Sequence, residues 1–163
     1  MSLEQSIDFK EESNSLYNIL KEKNDDVFNS ATQFKSWTIN DVLYHLHVWN
    51  NAAYLSLTDE KKFSKFMEDF FKAIKQGKSA RSYEKELSNN KYGQDLLLEW
   101  KNGYEKISIE FLKADPKKRV KWAGPDMSVR SSITARHMET WSHGQEVYDL
   151  LGIIRDDKDR IKN

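Results

Sequence analysis

Cysteine is absent from the chain, which removes disulfides, thiolate metal sites and a cysteine nucleophile together. Any sulfur chemistry would need a thiol supplied from solution. Proline occurs twice and glycine six times in 163 residues. With so few breakers and no sustained polar/apolar alternation, long helices are expected rather than many short strands. An excess charge of either sign is missing as well. The 26 Lys and Arg balance 26 Asp and Glu, which argues against a general electrostatic role on nucleic acid or at a membrane. No apolar run approaches the roughly 18 residues of a membrane span. The charged opening MSLEQSIDFKEES lacks the apolar centre of a secretory signal. These absences point to a soluble, cytoplasmic chain forming one domain over 1–163, long enough to bury a core without staples. They assign no oligomeric state.

What is present is helical. Residues 3–23 place Ile7, Leu16, Tyr17, Ile19 and Leu20 among charges. Thr38-x-x-Asp41 resembles a capping box, and Ile39, Val42, Leu46, Ala53 and Leu57 then form one helical stripe. Residues 59–77 carry Phe63, Phe66, Phe70 and Ile74 at similar spacing. The polar stretch 78–91 is expected to be largely loop, with a short helical turn. Residues 92–114 align Leu97, Trp100, Tyr104, Ile107 and Phe111, and Asp115-Pro116 stops them. Ser128 is a plausible N-cap for a last helix that runs to Leu151 and ends at Gly152. The tail from Arg155 is a charge run. Four major helices with a long connection predict an all-α protein, an antiparallel four-helix bundle.

In the last helix Glu139 and His143 stand four residues apart and share a face, which Glu146 joins. Such a pair forms a surface ion pair or closes on one divalent metal, whose ligands lie about 2.0–2.2 Å from its centre. Both lie to one side of the apolar stripe of Ile133, Thr140, Gly144, Val147 and Leu151, while His137 falls near it. His45 flanks its own stripe beside Val48, Trp49 and Ala52, as a half-buried imidazole or a ligand; His47 is on the opposite flank. The chain has no phosphate-binding glycine loop, no G-x-S-x-G elbow and no H-E-x-x-H. Lys117, Lys118, Arg119 and Lys121 beside Trp122 read as a solvated loop.

Two stretches carry a resemblance. Ser36-Trp37-Thr38-Ile39-Asn40-Asp41-Val42-Leu43-Tyr44-His45-Leu46 resembles the W-T-x-x-D-V-x-x-H-L opening of the DinB-like superfamily. GPDMSVRSSITARHMETWSHGQEVYDLLG resembles the last helix of its mycothiol-dependent maleylpyruvate isomerase branch, and above all a set of uncharacterised metal-binding proteins related to that isomerase. The resemblance implies a DinB-type bundle whose metal is held by His45, Glu139 and His143. Two imidazoles and a carboxylate leave an open position, as in catalytic zinc sites; Ni²⁺ and Fe²⁺ accept the same donors. It further implies a low-molecular-weight thiol, activated at the metal and added to an electrophilic substrate.

Glu146 and Asp41 are candidates for orienting an imidazole, although Asp41 is equally a helix cap. Arg136 and Arg130 are candidates for a substrate carboxylate, and Trp49 or Trp141 for the pocket wall. The isomerase and many relatives continue into a smaller C-terminal α/β domain where this chain reaches residues 157–163. The chain is then a single-domain variant or lacks a piece, and isomerase activity would want its second wall. Three readings stay open: a metal- and thiol-dependent isomerase or transferase, a non-catalytic metal-binding or interaction module, and a plain bundle with incidental histidines.

Overall fold

A computed structural model describes residues 3–162. Among these, six α-helices run in the order α1 (Glu4–Leu20), α2 (Ile39–Thr58), α3 (Glu60–Lys75), α4 (Ala80–Leu87), α5 (Gly93–Lys113) and α6 (Val129–Leu151). The only sheet among the described residues is a small hairpin of β1 (Arg119–Val120) and β2 (Met127–Ser128). The all-α expectation is borne out.

The expected caps explain where the long helices start and stop. The Thr38 hydroxyl accepts from the Asp41 amide while the Asp41 carboxylate accepts from the Thr38 amide, a reciprocal capping box at the head of α2. Ser128 caps α6 through the Ser131 amide, and Gly152 closes it in the left-handed conformation. Gly93, at the head of α5, has φ +58°, and a side chain there would collide with the Asp25 carboxylate. That carboxylate accepts from the Gln94 amide at 2.9 Å, so the glycine lets the connection between α1 and α2 cap α5.

The bundle is a ring in which α1 touches α5 and α6, and α2 touches the same two. Side-chain contacts give the directions. Ser6 bonds to Ser108 while Gln94 bonds to Leu20 and Lys23, so α1 and α5 run oppositely. Asn40 reaches Gly93 and His47 reaches Gly103, so α2 and α5 run the same way. His45 meets Glu139, and Ser56 meets Lys121 just before α6, so α2 opposes α6. Parallel neighbours cannot be joined by a tight turn, and α3 with α4 provides the return between α2 and α5. Leu16, Leu43, Leu46, Trp100, Tyr104, Phe111 and Ile133 fill the centre. A second apolar cluster forms where Ala52 of α2 meets Phe63 and Met67 of α3.

Three expectations need correcting. Residues 78–91 are not largely loop: α4 occupies most of them, capped by Ser79, with Glu84 and Ser88 buried. Its apolar face is thin, and a buried polar contact holds it, which a hydrophobic pattern does not register. The basic loop after Pro116 contains the β1–β2 hairpin. The charged tail is docked: Arg155 and Arg160 both pair with Glu12 of α1, which is 1% exposed.

Candidate metal centre

α2 and α6 cross where His45 faces Glu139 and His143. His45 Nε2 lies 3.2 Å from Glu139 Oε2, and His143 Nε2 lies 3.3 Å from that same oxygen. Among the described residues these three form the group whose ligand atoms converge, all within 4.8 Å of one another. Around a tetrahedral ion with bonds of 2.0–2.2 Å, neighbouring donors stand about 3.4 Å apart. The two separations from Glu139 Oε2 lie close to that value, and the donor types suit a divalent cation.

The other nitrogen of His45 is engaged too. Nδ1 lies 3.1 Å from Oε1 of Glu84 on α4, and that oxygen also accepts from Trp49 Nε1 at 2.8 Å. Burial pulls the His45 pKa down, but bonds to Glu139 and Glu84 outweigh it and leave the ring above its ordinary value. Hydrogen bonds from His143 and His45 hold the Glu139 carboxyl well below the usual carboxylate range, against the opposing effect of burial. Both ring nitrogens of His45 thus face carboxylate oxygens, and a metal at Nε2 would take the place of one proton.

An aromatic wall fixes His143. Trp37 stacks on its ring, with centroids 5.3 Å apart and planes 8° from parallel, and Phe34 meets it edge-on at 5.5 Å. Both come from the turn before α2, where Lys35 and Ser36 adopt φ of +51° and +57°. Non-glycine residues hold that conformation at roughly 1–2 kcal/mol each, and here it brings Phe34 and Trp37 onto the same imidazole.

The remaining candidates divide. Trp49 is at the site, as Glu84's partner and 6.3 Å from the His45 ring. Arg136 is also adjacent, with Nη2 4.0 Å from Glu139 Oε1 and its guanidinium over Trp122. Burial pushes its pKa down to about 10, and its Nε and Nη1 have no partner. Arg130 is exposed at the start of α6. Asp41 does not orient His45: its carboxylate is engaged by Thr38, with Arg81 at 3.8 Å. Glu84 occupies that place instead. Glu146 is half-buried and is not one of the three converging residues.

Trp141 points away from the site. Its ring lies under Arg155, and it borders a cavity of about 390 Å³ with His137, Met138, Ser142 and Ile161. It stands two residues from Glu139, about 200° around the helix, which explains the separation. His47 and His137 are also elsewhere, His47 near Glu99 and His137 at 3% exposure, each with its pKa lowered by burial. Sequence reasoning missed Glu84 and the Phe34–Trp37 wall. Trp37 stood within the motif that carried the resemblance, but Glu84 had no comparable signal in a short polar stretch.

The chain is similar to known proteins. Two proteins of Mycobacterium tuberculosis, the uncharacterized proteins MT0041 and Rv0036c, are each 30% identical to the chain over 156 residues. The match covers 96% of this chain and 60% of each relative, so the chain spans about three-fifths of their length. No solved structure matches significantly. The family model described as the mycothiol maleylpyruvate isomerase N-terminal domain matches residues 9–148. The chain therefore belongs to that family, a DinB-like one.

Proposed function

We propose that His45, Glu139 and His143 hold one divalent metal, Zn²⁺ foremost with Ni²⁺ or Fe²⁺ as alternatives, and that the centre serves thiol-dependent isomerase or S-transferase chemistry. One observation carries the first half: an imidazole from α2 converges with a carboxylate and an imidazole from α6, both imidazole nitrogens 3.2–3.3 Å from Glu139 Oε2 and all three ligand atoms within 4.8 Å of one another. Membership of a mycothiol-named family supports the second.

With three protein ligands and one open position, the ion would lower the pKa of a thiol or water placed there, so that the anion exists near neutral pH. The chain's own residues supply the surroundings. Trp37 and Phe34 pack on His143 and hold its ring, and the Trp49 and Trp122 indoles form an apolar flank. Arg136 lies beside Glu139 with unpartnered N–H groups, a donor set suited to a carboxylate on an electrophilic substrate. The thiol comes from solution, since the chain has no cysteine.

The test is a rate. Zinc-loaded protein should accelerate addition of a low-molecular-weight thiol to a conjugated carbonyl, followed by loss of its absorbance, and a chelator should abolish the gain. A second reading, a metal-binding or interaction module without turnover, is favoured by the 41% exposure of the Glu139 side chain, which leaves that carboxylate open to water. A panel of thiols showing equal rates for the wild type and His45→Ala would decide for this module.

A further inference from the structure

We propose that Glu84 is a positioning residue for His45: it holds the imidazole by Nδ1 so that Nε2 is the atom offered to a metal. The proposal rests on the metal-centre reading above and adds to it a residue outside the three ligands.

Three observations carry it. Glu84 is 2% exposed, and its Oε1 accepts from both His45 Nδ1 and Trp49 Nε1. A neutral imidazole carries one proton, so an acceptor fixed at Nδ1 leaves the lone pair on Nε2, which faces Glu139. Outer carboxylates of this kind set ring orientation and raise ligand basicity, and their loss typically weakens metal binding 10–100-fold. Next, Glu84 Oε2 is buried without a partner. An acid buried with one oxygen unsatisfied is a poor device for stability alone. Finally, α4 is short and makes few apolar contacts, yet Ser79 caps it and it delivers this one side chain to the crossing of α2 and α6. Trp49 sets the height of the carboxylate by donating to the same oxygen.

Zinc affinity is the measurement, by competition with a chromophoric chelator, on wild type, Glu84→Ala, Glu84→Gln and the exposed control Glu86→Gln. Glutamine can place its carbonyl where Oε1 now accepts both bonds, with its amide nitrogen in the Oε2 position. Glu84→Ala should bind zinc about 10–100-fold more weakly, Glu84→Gln should recover most of that loss, and Glu86→Gln should match wild type. Equal affinity in wild type and Glu84→Ala overturns the positioning role while leaving the metal centre intact. Failure of the wild type to bind zinc overturns both. If Glu84→Ala does not fold, the Nδ1–H proton resonance of His45 in the zinc-loaded proteins decides. An upfield shift in Glu84→Gln, as the acceptor loses its charge, supports the assignment; an unchanged resonance contradicts it.

Discussion

Glu139 and His143 share a face because four residues span about 400° of an α-helix, and that face meets His45 across the bundle. The same arithmetic puts His47 and His137 about 200° from their neighbours, away from the cluster. What spacing could not supply was the acceptor for His45 Nδ1. Asp41 is one turn earlier on the same helix, but its carboxylate already closes the capping box. Glu84 arrives from another helix, 39 residues along the chain. Asp41→Ala should therefore lower stability by about 1 kcal/mol through the lost cap and leave zinc affinity within about twofold. Chemical denaturation and chelator competition on one preparation would check both.

At the scale of elements, the long amphipathic helices were legible because each carries an apolar stripe, and α2 and α6 carry recognisable caps as well. α4 was not, since a polar contact anchors it rather than an apolar face. The α1–α5 pair shows a similar dependence. Tyr104 is fully buried and donates to Asn14 at 2.8 Å, and burial raises its pKa well above the ordinary value. Its phenol stays protonated in the fold at pH values where the unfolded chain has begun to ionise near 10. The associated stability is complete below that pH and is lost as pH rises through the folded value. Urea melts from pH 8.5 to 11 should show this decline, with a shallower slope in Tyr104→Phe. The variant should also be weaker by about 1 kcal/mol near neutrality, from the lost hydrogen bond.

Across the whole molecule, the tail is part of the fold. Glu12 of α1 is buried beneath Arg155 and Arg160, and Arg155 also donates to the Trp141 carbonyl. From sequence the tail reads as a charge run, because pairing over more than 140 residues leaves no periodic trace. Removing one partner of a buried pair strands the other charge, so Glu12→Ala should destabilise the protein by about 3–5 kcal/mol. Thermal unfolding would register this as a lower midpoint.

Metal content per chain tests the central claim most directly. It should be measured after purification and zinc loading, in His45→Ala, Glu139→Ala, His143→Ala, His47→Ala and His137→Ala. The first three should lose most of the metal, because each removes one of the converging donors. The last two should retain it, because neither imidazole reaches the cluster. An empty site in His137→Ala together with a full one in His143→Ala would contradict the account.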